Sequence, residues 1–285
     1  MKGTMFRSFS LPFAGHTWTA ESPVIVGIVN TTPDSFYAQS RANTADAVEA
    51  HAETLLEGGA HWLDIGGCST RPDAALPSVE EEWSRVQPGL KRLADRFGEI
   101  PVSIDTFRGE IAARALDAGA CMINDISGGS LDPVIWDVAA RSHAPYILTH
   151  YPAGHTPATM QSVALGPEQI TQSVLHYFAQ HLAELQHRGI THVLLDPGFG
   201  FGKTLEANYR LLNDLSQLTA ATQPLYVGVS RKSMLWRLLE RNPEEVLPAT
   251  SALHLHALQQ GAQILRVHDA AEARDIITLW KQLNA

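Results

Sequence analysis

Short β-rich runs alternate with longer amphipathic stretches along the chain, and this alternation predicts the architecture. The β-like runs cover residues 24–29, 61–65, 102–104, 121–123, 146–148, 192–195, 225–229 and 264–267. Several are near-continuous apolar segments, the pattern of parallel strands covered on both faces. Between them the spacing predicts helices over 44–57, 78–97, 108–117, 132–141, 167–188, 205–215, 234–239 and 270–283, with a further one over 248–259 before the last strand. Glycine often stands between a helix and the next strand, at Gly58-Gly59, Gly119, Gly189 and Gly261, where a left-handed residue ends the helix. Eight such units with short connections predict an α/β fold, a closed (β/α)8 TIM barrel, in preference to an open doubly wound sheet. Spacing alone does not prove closure. The expected organisation is one domain over residues 1–285: a barrel from residue 24 onward, and a leader, 1–23. In the leader, Gly15-His16-Thr17 predicts a hairpin covering the barrel bottom.

Composition narrows this picture. A chain of 285 residues is long for an ordinary domain but usual for a single barrel. Apolar residues make up 45% and charged residues 18%, which is globular. No apolar run approaches the roughly 20 residues of a membrane-spanning helix. Residues 1–10 lack the apolar core of a secretory signal. The two cysteines, Cys68 and Cys121, are too few for a disulfide framework and lack metal-ligand spacing, so a cytoplasmic location is expected. The net charge of −9 argues against a nucleic-acid surface and leaves an anionic small molecule open, since a local field can oppose the overall charge. His176, His181, His187 and His192 fall in or beside one helical stretch, where solvated helix edges account for them.

Barrel active sites form at the C-terminal ends of the strands. Here every strand ends in polar residues: Asn30 through Asp34, Asp64 into Ser69-Thr70-Arg71, Asp105-Thr106, Asn124-Asp125, Thr149-His150, Asp196, Ser230-Arg231-Lys232-Ser233, and Arg266 with His268-Asp269. Helix capping accounts by itself for residues such as Asp34, Asp125 and Asp269, but not for polar groups at all eight ends. Asp105, Asn124 and Asp196 suit a flat heterocycle with several N–H donors and a carbonyl. Lys232 adds a flexible cation. Arg266 and His268, one residue apart, share one side of a strand and can clamp a phosphate. No Ser or Cys has an evident His partner, so a covalent nucleophile is not indicated. Gly198 to Thr204 ends like a P-loop, but Pro197 stands where that pattern needs glycine. His254 and His256, two apart in a predicted helix, face different directions and make a poor metal pair.

Together these segments resemble the dihydropteroate synthase family of pterin-binding barrels. The resemblance runs from about Val24 to the C-terminus, through Asn30-Thr31-Thr32-Pro33-Asp34-Ser35-Phe36, Asp64-Ile65-Gly66-Gly67 with Ser69-Thr70-Arg71-Pro72, and Ser103-Ile104-Asp105-Thr106. It continues through Ile123-Asn124-Asp125, Asp196-Pro197-Gly198 with Gly200-Phe201-Gly202-Lys203, Ser230-Arg231-Lys232-Ser233 and Arg266-Val267-His268-Asp269. It implies condensation of 6-hydroxymethyl-7,8-dihydropterin diphosphate with 4-aminobenzoate, giving 7,8-dihydropteroate and diphosphate by an SN1-like path in folate biosynthesis. Carried over by position, Asp105, Asn124, Asp196 and Lys232 hold the pterin, and Arg266 and His268 hold the diphosphate. Asn30 contacts the diphosphate's Mg²⁺. Phe36, Thr70, Arg71, Pro72, Phe201 and Ser233 shape the 4-aminobenzoate site, and Asp105, Lys232, Arg266 and His268 are the catalytic group. The resemblance also implies sulfonamide binding and a homodimer with the late helices as the contact.

The chain departs from the family pattern in three places. Cys68 stands where the family usually has Glu, and a packing role is expected for it. Thr149 replaces the methionine usually found before His150. Tyr37-Ala38-Gln39-Ser40 replaces a glycine-rich turn. Two other readings follow: a pterin-dependent methyltransferase, disfavoured by the Arg266/His268 clamp and the Ser-Thr-Arg-Pro loop, and a non-catalytic pterin-binding paralogue, supported by Cys68 and Thr149 alone.

Overall fold

The computed structural model describes residues 6–13, 15–32, 44–68, 76–152, 154–156, 159 and 164–284. Eight parallel strands form the barrel: β3 (Val24–Asn30), β4 (Trp62–Gly66), β5 (Val102–Asp105), β6 (Met122–Asp125), β7 (Tyr146–Thr149), β8 (Val193–Asp196), β9 (Tyr226–Val227) and β10 (Ile264–Val267). Their order is β8-β7-β6-β5-β4-β3-β10-β9. A single parallel bridge between Leu195 and Leu225 joins the two ends, with Leu195 N–H donating to Pro224 O at 2.9 Å. The predicted barrel is therefore closed, although its last seam is short. Strand β9 spans two residues where the sequence predicts five.

Helices cover the outside: α1 (Thr44–Glu57), α2 (Val79–Arg96), α3 (Gly109–Asp117), α4 (Val134–Ser142), α5 (Ile170–His187), α6 (Leu205–Asn213), α7 (Leu215–Leu218), α8 (Ser233–Leu239), α9 (Leu247–Gln259) and α10 (Ala270–Leu283). Helix α2 starts where its sequence says it should. Ser78 Oγ accepts from Glu81 N–H, and the Glu81 carboxylate accepts from Ser78 N–H at 2.7 Å, satisfying two orphan donors of the first turn. The stretch predicted as one helix over 205–215 is two, broken at Asp214, whose carboxylate is taken by Thr171 Oγ1 and Arg210 Nε.

The leader is the expected hairpin, β1 (Phe9–Phe13) paired antiparallel with β2 (His16–Ala20). Its Leu11, Phe13 and Ala20 pack onto Val24, Val26, Trp62, Met122, Ile147, Leu194, Tyr226 and Ile264. The ring of Trp62 lies 6.1 Å from Phe13 and 5.7 Å from Trp18. Residues two apart on a strand share a face, so these contacts fix which row of each strand looks into the barrel. The inward row is apolar at the bottom and turns polar upward: Trp62 leads to Asp64, Met122 to Asn124, Leu194 to Asp196, and Ile264 to Arg266. The outward row, with Ile25, Leu63, Ile123, Leu148 and Leu265, builds the larger core under the helices.

Candidate active site

The polar layer is centred on Asp64, which is wholly buried. Its Oδ1 accepts from Ser103 Oγ at 2.5 Å, and its Oδ2 accepts from Asn124 Nδ2 at 2.9 Å and Arg266 Nε at 2.6 Å. Arg266 then donates from Nη2 to Asp105 Oδ2 at 2.6 Å. Strands β4, β5, β6 and β10 are thus tied together inside the barrel by one charged network. Against the desolvation of burial, the Asp64 and Asp105 carboxylates push the Arg266 guanidinium further into its charged form. Desolvation lifts Asp105 above the ordinary carboxylate range; Arg266 opposes this and Asp64 adds to it. Behind Asp105, the buried Glu82 of α2 accepts from Thr106 Oγ1 at 2.7 Å and pairs with Arg108, which fixes the strand end.

Across the barrel, Asp196 uses Oδ1 to accept Gly198 N–H at 2.7 Å. Burial raises its pKa, opposed chiefly by Lys232. Lys232 donates from Nζ to Phe199 O and lies 4.8 Å over the Phe201 ring. Desolvation brings its ammonium down to about 8, with Asp196 working the other way. The turn that aims Lys232 is strained: Arg231 holds φ +53°, a conformation few side chains adopt. A two-point ion pair to Asp269 pins it, Nε to Oδ2 at 3.0 Å and Nη2 to Oδ1 at 2.6 Å. Asp269 therefore serves this pair and makes no side-chain cap on α10. Asp125 faces outward and is not part of the site. It accepts from Ser127 N–H, Gly129 N–H and Tyr146 Oη, closing the turn after β6.

The segment after β8 is held from within by Lys203, which is buried. Its Nζ contacts Gly198 O at 2.7 Å, Phe201 O at 3.0 Å and His150 Nδ1 at 2.9 Å. Desolvation brings its ammonium down to about 7, and all three of its polar contacts are to the protein, which removes the P-loop look-alike as a phosphate cradle. At Gly198, φ is +69° and a Cβ would stand 2.2 Å from His150 O, so only glycine fits there.

Of the residues expected to form the site, Asp105, Asn124, Asp196, Lys232 and Arg266 converge on this layer. Asn30 ends β3, and Phe201 lies beneath Lys232. Ser233 opens α8, and His268 follows β10, its N–H donating to Ser230 Oγ at 3.2 Å. Burial, then the charges of Arg266 and Arg231, lower the His268 pKa to about 4. Its imidazole is neutral at pH 7, so His268 brings an N–H to the expected clamp and Arg266 brings the charge. Phe36, Thr70, Arg71 and Pro72 lie outside the described residues, as does the turn at Tyr37-Ala38-Gln39-Ser40. Burial and the Glu82 and Asp105 carboxylates push the Cys68 thiol up to about 12, which makes it unreactive and agrees with packing. Among the described residues no three His, Cys, Asp or Glu side chains gather as a metal cluster. The sequence reading assigned no role to Asp64 or Lys203. The available signal for Asp64 was a carboxylate in phase with Trp62 inside an apolar strand.

An interior with polar side chains on four strands, Arg266 on a fifth, Lys232 on the turn after β9 and an apolar floor is that of a heterocycle-binding α/β barrel. The sequence matches the model of the pterin binding enzyme family over residues 26–268, and the chain belongs to that family. It is 40% identical over 264 residues to the dihydropteroate synthase of Synechocystis, covering 90% of each chain. Its structure is similar to Xanthomonas albilineans dihydropteroate synthase with 4-aminobenzoic acid, at TM-score 0.88 and 38% identity, covering 98% of this chain and 99% of that one. The same enzyme in complex with 7,8-dihydropteroate matches at TM-score 0.84 and 37% identity, over 97% and 99%.

Proposed function

We propose that this chain is a dihydropteroate synthase. It condenses 6-hydroxymethyl-7,8-dihydropterin diphosphate with 4-aminobenzoate to give 7,8-dihydropteroate and diphosphate. The observation that carries the reading is the convergence of Asp105, Asn124, Asp196, Lys232 and Arg266 on one buried polar layer.

Asp196 and Asn124 offer acceptors to the ring's N–H groups, and Lys232 donates to a ring acceptor. The C–O bond to diphosphate breaks with its electron pair leaving on oxygen, and the Arg266 guanidinium and His268 N–H meet that charge. The Asp105 carboxylate stabilises the electron-poor methylene left behind. The amine of 4-aminobenzoate, bound near Phe201 and Ser233, then forms the C–N bond and releases a proton. No step calls for a protein nucleophile. The Asn30 amide oxygen is a hard donor at the rim. Mg²⁺ characteristically takes few protein ligands, with substrate phosphate and water completing the shell, so one amide oxygen at the end of β3 suits it. When bound there, Mg²⁺ would neutralise diphosphate charge.

We place the enzyme in the cytoplasm as a homodimer. Supporting the dimer, Leu238 and Leu239 of α8 and Leu279 and Leu283 of α10 are exposed apolar residues on late helices. No helix among the described residues is long and apolar enough to cross a membrane. The test is a coupled assay with purified protein, Mg²⁺ and both substrates, following diphosphate release and dihydropteroate formation. Pterin binding without turnover would sink this reading and leave a non-catalytic pterin binder.

A further inference from the structure

Two hydroxyls inside the barrel have no hydrogen-bond partner among the described residues, Thr149 Oγ1 and Tyr226 Oη. Thr149 is 1% exposed and Tyr226 0%. Thr149 lies two residues beyond the inward-facing Ile147 on β7, and its register partner on β8 is Asp196. Tyr226 packs in the apolar bottom layer beside Ile264 and Leu194. Its phenol nonetheless lies within the fields of Asp64, Arg266, Asp196 and Asp105. Burial first, then the three carboxylates, keeps it protonated. Asp196 thus has a residue with an unpartnered hydroxyl on each side of it in the sheet: Thr149 on β7, and Tyr226 on β9, which follows Leu225 at its bridge to Leu195 just as Asp196 follows Leu195. The surrounding groups are paired: Asp64 accepts three hydrogen bonds, and Arg266 bridges two carboxylates.

A hydroxyl taken out of water with nothing in return is costly, so buried hydroxyls are normally matched by protein, water or ligand. Two of them near the carboxylate that faces the pocket point to one occupant. We propose that Thr149 and Tyr226 are specificity-determining residues of the heterocycle pocket, their hydroxyls hydrogen-bonding to the polar edge of the pterin that Asp196 holds. The proposal rests on the pterin reading above. A hydroxyl both donates and accepts, so the pair suits an aminopyrimidinone edge, where carbonyl and N–H groups alternate, and disfavours a ring with C–H groups there.

The test uses Thr149→Val and Tyr226→Phe, which remove the hydroxyls and nearly preserve shape. Binding of 6-hydroxymethyl-7,8-dihydropterin is measured by calorimetry, the Tm of the protein alone by calorimetric scan, and KM for 4-aminobenzoate by steady-state assay. Each variant is expected to weaken pterin binding about 3–10-fold, the worth of one neutral hydrogen bond. Its Tm stays level or rises, because an unmatched polar group has gone, and KM for 4-aminobenzoate stays within about twofold. A purely structural hydroxyl would move Tm and leave pterin affinity alone, and that result overturns the proposal. A wild-type chain that binds no pterin overturns both this proposal and the function it rests on. A wild-type chain that binds, with variants that bind equally well, overturns this proposal alone.

Discussion

Arg266 Nε lies 2.6 Å from Oδ2 of Asp64, a carboxylate with no access to solvent. Asp64 fixes the direction of the guanidinium from below, leaving Asp105 to balance its charge from the rim. Asp64→Asn removes half of the counter-charge from a buried cation. A loss of about 3–5 kcal/mol in unfolding free energy is expected, the usual consequence of stranding a buried charge. With one acceptor oxygen left for Arg266, Asn124 and Ser103, these side chains are held less firmly, and kcat should fall more than KM for 4-aminobenzoate rises. Urea unfolding and steady-state kinetics check both, and wild-type stability with wild-type kcat would show that Asp105 alone suffices.

Histidine 254 gives a pH prediction. It is buried on α9 with Nε2 unpartnered among the described residues, and desolvation lowers its pKa to about 4. The unfolded chain has an ordinary imidazole near about 6.5. Between these values the unfolded state binds the extra proton, so stability is fully present above about 6.5 and drains away as pH falls towards 4. The loss from this one group is on the order of 3 kcal/mol. His254→Phe should flatten that part of the stability–pH curve and cost little at pH 7. An unchanged acid slope in the variant refutes the assignment.

Lys203 gives a different kind of prediction, because it ties the loop after β8 to itself and to His150 at the end of β7. Lys203→Met strands Gly198 O, Phe201 O and His150 Nδ1, at about 1–3 kcal/mol for each unmatched group. Phe199 and Phe201, which steady Lys232, ride on the same loop. The expected outcome is a lowered Tm with a raised KM for 4-aminobenzoate. A variant that melts and turns over like wild type would mean the loop holds its shape without the lysine.

The hairpin should separate stability from chemistry. Phe13 is buried against Trp62 at the bottom of the barrel, remote from the strand ends that carry the site. Phe13→Ala should cost about 3–5 kcal/mol, by lost transfer energy and the cavity left behind. Turnover measured well below the new Tm should be close to wild type. A large fall in kcat there would show the plug reaching the site.

Much of the site was legible because period-two alternation is local. Once Met122, Leu194 and Ile264 are read as inward, Asn124, Asp196 and Arg266 must be inward too. Asp64 obeys the same phase, but its importance depends on Arg266, 202 residues away, and on barrel stagger that no local window contains. Lys203 was hidden for a related reason: Pro197 already excludes a P-loop, and nothing local says that Lys203 reaches back to His150, 53 residues earlier. The shortness of β9 was equally out of reach. Residues 225–229 have a strand's composition, and only the geometry of closure limits pairing to Tyr226 and Val227.

That closure has a mechanical consequence. A ring clasped at the single link between Leu195 and Leu225 is a split ring, and it gives first at the split. Asp196 follows one side of the link directly, and Lys232 stands on the turn that continues the other. A molecule gripped by both is a staple across the gap. Holding substrate and holding the ring shut then share free energy, so a tight occupant should slow deuterium exchange at Leu195 while leaving the far wall of the barrel untouched.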